Sequence, residues 1–224
     1  MWPLIVPGII LTVVSVLLIK NFEGKKIAVL GASATGKTTF LFYMKYSKLL
    51  GPYRATQVAE KIASSTVHIR DIDLTISISK TVDLSGGGTD QVYNEWKNLF
   101  DQADIVFYFV HAGKIWERDK DSCDRVIKDC KKIRDWHKEK SFNKKIIIVG
   151  THCDINPELK QINDNNFDQY TRRFEELETI QEARLNLHTA PSYVPIVLGS
   201  FVDYDSAEKL LNRMFIEATK NNTR

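Results

Sequence analysis

Eight consecutive residues, Gly31, Ala32, Ser33, Ala34, Thr35, Gly36, Lys37 and Thr38, satisfy the pattern G-x-x-x-x-G-K-[ST] in full. Each residue type has a physical task. The glycines let the backbone bend so that successive N–H groups converge on an anion. Lys37 would neutralise β- and γ-phosphate oxygens, and Thr38 would offer its hydroxyl to Mg²⁺. Thr39 extends the phosphate-facing set at the start of a helix whose positive end points at the same anion. The alternative, a chance glycine-rich turn, does not account for the apolar run Ile27-Ala-Val-Leu30 before the loop or the helix-compatible run after it.

Two further groups have chemistry suited to the same ligand. Asp83-Leu84-Ser85-Gly86 puts a carboxylate at a strand end, where it can hold Mg²⁺, usually through water; its glycine N–H can approach a γ-phosphate. Thr151-His152-Cys153-Asp154 follows the apolar run Ile146–Gly150. The Asp154 carboxylate can accept from both N1–H and the exocyclic amine of guanine. Adenine offers no such pair and would leave a buried charge unmatched. The competing reading of Asp154 is a plain turn or helix-capping residue. Ser200 and Phe201, after the last apolar run, stand where backbone N–H groups could meet the guanine carbonyl.

These loops need elements to hold them. Lys26–Leu30 reads as a strand and Lys37 to about Leu50 as a helix stopped by Gly51-Pro52. Ser65–Arg70 and Leu74–Ser79 alternate and form a hairpin, the second strand continuing through Thr81-Val-Asp83. Asp90–Gln102, Trp116–Lys140 and Phe167 to about Leu187 read as helices, as does Ser206–Ala218. Between them, Asp104–Val110, Lys145–Gly150 and Tyr193–Leu198 read as strands, the first two buried on both faces. The alternation predicts an α/β fold of the P-loop NTPase type, a mostly parallel six-stranded sheet with helices on both faces.

Residues Trp2–Ile19 contain 18 residues without a charge. A helix over them would be about 27 Å long, near the hydrocarbon thickness of about 30 Å. Lys20, Lys25 and Lys26 follow, so the expectation is a single-pass membrane anchor with the domain on the cytoplasmic side. A cleaved signal peptide is the rival; no basic stretch precedes the run and no small-x-small site follows it. The expected division is anchor 1–20, linker 21–26, GTP-binding domain 27–219 and tail 220–224. The 224 residues are 43% hydrophobic and 26% charged, with a net charge of +3, an excess that gives no argument for nucleic-acid binding. Cys123, Cys130 and Cys153 have no C-x-x-C spacing, which argues against a disulfide framework or a zinc site.

On these motifs, residues 25–219 resemble a Ras-superfamily small GTPase. Asp83-Leu-Ser-Gly-Gly87 followed by Trp96 resembles the Arf-like group. With an amino-terminal anchor, the arrangement is similar to the signal-recognition-particle receptor β-subunit. The resemblance implies a G domain that binds GTP or GDP with Mg²⁺. It implies a phosphate loop at Gly31–Thr38, a γ-phosphate motif at Asp83–Gly86 and a base motif at Thr151–Asp154, where N-K-x-D is usual. Thr151 in place of Asn should weaken contacts to the phosphate loop, while His152 would stack on the base as the Lys stem does. Gly87 stands where the family commonly has a water-positioning Gln, which implies slow hydrolysis unless a partner, Thr89 or Asp90 supplies the group. For the switch threonine that touches Mg²⁺ and the γ-phosphate, Thr56 is the candidate, with Ser65 and Thr66 as competitors. Lys37, Thr56 and Gly86 thus form the expected catalytic set, and Thr38, Thr56 and Asp83 the metal set. The implied function is a GTP/GDP-dependent switch that recruits or regulates a protein partner at a membrane, including an activating protein. Two alternatives are a GTP-occupied scaffold with little turnover and an ATP-using P-loop enzyme.

Overall fold

The computed structural model describes residues 22, 24–46, 48–49, 64–69, 72–78, 89–140, 144–188 and 193–220. Six strands form one sheet: β1 (Lys26–Gly31), β2 (Ser64–Ile69), β3 (Ile72–Ile78), β4 (Ile105–His111), β5 (Lys145–Thr151) and β6 (Ile196–Leu198). Their spatial order is β2-β3-β1-β4-β5-β6. Only β2 runs antiparallel, paired to β3 from Ser64↔Ser77 to Ile69↔Ile72; the remaining neighbours are parallel. β2 thus ends one residue earlier and β3 begins two residues earlier than the alternation predicted.

The strands β1, β4 and β5 are almost wholly apolar because helices cover both faces of the sheet. Period-two alternation sorts their side chains. Ile27, Val29, Phe107, Phe109, Ile147 and Val149 face α1 (Lys37–Tyr46) and the carboxy-terminal helix Tyr204–Thr219. Ala28, Leu30, Val106, Tyr108, Ile146 and Ile148 face the opposite layer. That layer holds α2 (Thr89–Gln102), the short α3 (Ala112–Trp116), α4 (Lys120–Lys140), α5 (Phe167–Glu175) and α6 (Glu178–Leu187), which leaves Tyr204–Thr219 as α7. Helical spacing buries Val92, Trp96 and Phe100 on α2, and Val126, Cys130 and Ile133 on α4. Each large apolar side chain fully withdrawn from water contributes about 1.5–3 kcal/mol. Phe22 belongs to the first layer, edge-on to Phe215 with ring centroids 5.0 Å apart.

Two expected helices are each two elements. Trp116–Lys140 is interrupted where Arg118 takes φ +57°, and Asp119 restarts the helix by accepting from the Ser122 N–H at 3.0 Å. Phe167–Leu187 breaks at Leu177, whose extended backbone (φ −64°, ψ 131°) lets Phe174 and Ile180 both enter the core. The last strand is also shorter than expected, covering only Ile196–Leu198.

The membrane-spanning helix, and with it the single-pass membrane location, is corrected. Among the described residues no helix is long and apolar enough to cross a membrane. Spanning requires about 20 predominantly apolar residues. The longest described helix, α4, has 21 residues (KDSCDRVIKDCKKIRDWHKEK) and is studded with charge. Residues 1–20 lie outside the described residues; the expectation rested on the lack of charge over Trp2–Ile19, which states a solvent preference and not a conformation.

Candidate functional site

The carboxyl ends of β1, β4, β5 and β6 lie along one edge of the sheet, in the register Gly31↔Phe109, His111↔Thr151 and Gly150↔Leu198. In an open parallel sheet this edge is where the ligand crevice forms.

The loop after β1 has a tightly specified backbone. Gly31 takes φ +136°, and a Cβ there would lie 2.3 Å from the Phe109 carbonyl oxygen, so no other residue fits. Ala34 (φ +56°) and Gly36 (φ +83°) are also left-handed, which turns the intervening N–H groups into a concave nest suited to an anion. The Thr35 hydroxyl donates to the Ala32 carbonyl at 2.9 Å. Lys37 opens α1 with its side chain folded back over the loop: Nζ donates to the carbonyls of Gly31 (2.8 Å) and Ala32 (2.5 Å). Burial pulls its pKa down to about 7, partly opposed by the negative charge of Asp129. A phosphate would supply the counter-charge that this ammonium lacks. Thr38 and Thr39 follow, half-buried at the head of the helix.

β5 delivers the second group. Thr151 is fully buried, and its hydroxyl lies 2.9 Å from the Thr35 carbonyl and 3.2 Å from the Val110 carbonyl. It therefore bonds the base-motif candidate directly to the phosphate loop, 116 positions away in sequence. The threonine hydroxyl thus makes one bond to the loop. Gly36 sits in the same corner, where a Cβ would be 3.6 Å from both Thr151 and Phe201. Thr35, Gly36, Thr151 and Phe201 are thus brought together from three separate loops.

His152 takes the left-handed conformation, φ +60°, rare for a residue with a side chain. Its ring lies flat against His111, with centroids 4.4 Å apart and planes 8° from parallel. Its Nδ1 is 2.9 Å from the Thr151 hydroxyl. Burial, together with the neighbouring His111, pushes its pKa down to about 4. Asp154 is half-buried, and its carboxylate accepts no hydrogen bond from the described residues. Directly beyond it, Asn156 Oδ1 accepts from the N–H groups of Glu158 and Leu159, at 3.0 and 3.1 Å, and folds the chain away. The last loop is tied to this one by Cys153 N–H to Gly199 O (3.2 Å) and Gly199 N–H to Gly150 O (3.0 Å). Ser200 is buried beside that junction and Phe201 half-buried.

β1 and β5 are separated only by β4, so the two strands that lead into these loops lie about 10 Å apart across the sheet, while the loops themselves meet at the Thr151–Thr35 hydrogen bond. The remaining candidates, Thr56, Asp83, Gly86 and Gly87, lie outside the described residues. β3, which leads toward Asp83, ends at Ile78 opposite Val29, two residues short of the loop. Ser65 and Thr66 lie within β2. Among the described residues no cluster of His, Cys, Asp and Glu could hold a metal, so Thr38 is the described part of the expected Mg²⁺ set.

Sequence reasoning missed His111. A polar residue ending the apolar run of a parallel strand was the available clue, because it stands at the crevice edge. It also missed Asp129. The carboxylate is fully buried and accepts from Tyr93 (2.6 Å), Tyr108 (3.0 Å) and Arg125 Nε (2.7 Å). On the same helix Lys128, Lys131 and Lys132 are exposed, whereas Arg134 is half-buried and donates to Asn186 Oδ1 at 2.8 Å.

No family model and no curated protein matches the sequence. Solved structures do match. Toc33 of Arabidopsis thaliana, in a dimerization-deficient variant, is 14% identical with TM-score 0.58, covering 94% of this chain and 93% of that one. An ADP-ribosylation-factor-like GTP-binding protein, small COPII coat GTPase SAR1, from Encephalitozoon cuniculi in complex with GDP is 14% identical (TM-score 0.50, covering 90% and 85%). A GTP-binding protein from Sulfolobus solfataricus, also with GDP, is 10% identical (TM-score 0.50), and the chain spans 54% of its length. At these identities the likeness establishes the fold: an α/β G-domain fold of the P-loop NTPase type.

Proposed function

We propose that this chain binds guanine nucleotides and acts as a GTP/GDP-dependent switch with slow intrinsic hydrolysis. The observation that carries the reading is the hydrogen bond from the Thr151 hydroxyl to the Thr35 carbonyl at 2.9 Å. It ties the turn that leads to Asp154 to the loop that leads to Lys37, which supports reading the two as one site. The nest at Gly31–Gly36 would take the phosphates and Lys37 their charge. Asp154, with no partner among the described residues, would take the two donors of the guanine edge. Ser200 and Phe201 would close the base side. Thr38, Thr56 and Asp83 would hold Mg²⁺, which supplies positive charge at the β- and γ-phosphates when bound.

In hydrolysis, water attacks the γ-phosphorus, the bond to the β–γ bridging oxygen breaks, and GDP and phosphate leave. Lys37 and the loop N–H groups would stabilise the charge that gathers on the departing oxygens. Gly87 offers no side chain to orient the water. The unassisted rate is therefore no faster than about 10⁻⁴ s⁻¹, the scale of intrinsic Ras turnover. Loss of the γ-phosphate would release the segments around Thr56 and Gly86, and a protein partner would sense the change.

Gly87 also favours a second reading, a GTP-occupied scaffold that seldom turns over. Whether bound nucleotide exchanges and hydrolyses on the purified chain separates the two. The base assignment is tested by the affinity of the full chain for GTP, xanthosine triphosphate and ATP, with and without Asp154→Asn. The substitution should shift preference toward xanthine, whose extra carbonyl meets an amide donor. Equal affinity of the unsubstituted chain for ATP and GTP would exclude the assignment.

A further inference from the structure

The nucleotide reading leaves open why a histidine should occupy the position after Thr151, and the hydrogen bonds around it answer that. Thr151 Oγ1 lies within hydrogen-bond distance of two carbonyl oxygens, on Thr35 and Val110, which only accept. Its single proton must therefore go to one of them. The His152 Nδ1 at 2.9 Å is then the donor and the hydroxyl oxygen the acceptor. This fixes the neutral Nδ1–H tautomer and leaves a lone pair on Nε2. His111 stacks on the ring at 4.4 Å, and its own Nδ1 accepts from the Lys114 N–H at 3.3 Å at the start of α3. The stacked ring is thereby anchored to a helix end.

We propose that His152 is a neutral hydrogen-bond acceptor in the nucleoside site, its Nε2 lone pair receiving a donor group of the bound guanosine, and that His111 is the positioning residue that holds its ring. The His152–Thr151–Thr35 chain then links base contact to the phosphate loop. A lysine at this position would present a donor; here the polarity is reversed. The inference rests on the nucleotide reading given above. The charged groups facing the pair are Lys114 and Glu117 from α3, Asp119 just beyond it, and Asp154 from the β5 loop. Desolvation and the adjacent His111 hold the His152 ring neutral near pH 7, which the acceptor role requires, and desolvation with the charge of Lys114 lowers the His111 pKa.

Nitrogen-15 NMR of the histidine-labelled full chain, titrated with GDP, tests this. The expected result is a pyrrole-type Nδ1 and a pyridine-type Nε2 at His152, with the Nε2 signal moving upfield on GDP addition. 2′,3′-Dideoxy-GDP fails to move it if the donor is a ribose hydroxyl, and inosine diphosphate fails if it is the exocyclic amine. His111→Ala should weaken GDP binding about threefold to tenfold, the typical worth of an aromatic stack, and blur the tautomer signals. His111→Phe, which keeps the stack, should restore both. A protonated Nε2 in the free protein, or an Nε2 signal unmoved by bound GDP, overturns the acceptor role. Equal weakening by His111→Phe and His111→Ala overturns the positioning role. Failure of GDP to bind at all overturns the nucleotide reading as well, and is distinguished by calorimetric titration of the same protein with GDP, which then shows no binding heat.

Discussion

The Tyr93 hydroxyl on α2 donates to Asp129 Oδ1 on α4 at 2.6 Å, in an interior where the carboxylate is wholly withdrawn from water. Tyr108 of β4 and Arg125 of α4 complete its coordination at 3.0 and 2.7 Å. A buried charge persists only when it is paired and hydrogen-bonded. This cluster therefore locks the two helices and the central strand into one relative position. Asp129 and Arg125 act on Lys37 in opposite directions, the carboxylate raising its pKa and the guanidinium lowering it.

Removing one partner of such a set strands the rest. Asp129→Ala should destabilise the fold by about 3–5 kcal/mol, because the Arg125 guanidinium is left buried without a counter-charge. Tyr93→Phe should cost less, about 1–3 kcal/mol, since it deletes one donor and leaves two. Urea unfolding midpoints at a constant slope would measure both, and equal costs would contradict the arrangement.

Thr151→Val keeps the shape of the side chain and deletes the hydroxyl that reaches Thr35. The loop carbonyl loses its donor, worth about 1–1.5 kcal/mol, so the melting temperature should fall by a few degrees and GDP affinity should fall about tenfold. Calorimetric titration beside a thermal melt makes the comparison. Unchanged affinity would show that this bond does not couple the two loops.

The depressed Lys37 pKa, about 7, gives the site a pH dependence whose sign can be worked out. In the free protein the ammonium is fully charged below pH 7 and progressively neutral above it, whereas phosphate holds it charged. Binding above pH 7 must therefore take up a proton, and GDP affinity should fall by up to about tenfold per pH unit there. Lys37→Arg, always charged, should flatten the profile. The stability of the ligand-free fold runs the other way. Because the unfolded lysine keeps its proton up to about pH 10, stability rises with pH between roughly 7 and 10. A pH-independent Kd between pH 7 and 8.5 would sink the assignment of that charge to the phosphates.

Gly31→Ala would place a methyl carbon 2.3 Å from the Phe109 carbonyl oxygen, at a φ that disfavours any side chain. The strain alone is worth about 1–3 kcal/mol before the clash is counted. Purified Gly31→Ala should show a lowered melting temperature together with loss of GDP binding. A normal melt with normal binding would mean that the loop after β1 tolerates a different backbone path.

Local chemistry made much of this protein legible in one dimension. Only glycines can make the turn after β1, only a lysine and a hydroxyl suit the helix start that follows, and an uninterrupted apolar run such as Ile105–Val110 has nowhere to sit except between two helical layers. Those preferences act over a few residues, so they can be read from a few residues. They did not locate the breaks at Arg118 and Leu177, because the long charged helix and the apolar stripe each continue past the point where packing forces a turn. Nor did they reveal that Asp129 faces inward, that His111 lies flat on His152, or that a threonine hydroxyl bridges to a loop 116 positions away. Each of these depends on which strand ends the parallel register brings side by side, a matter settled by the sheet as a whole and by no segment within it.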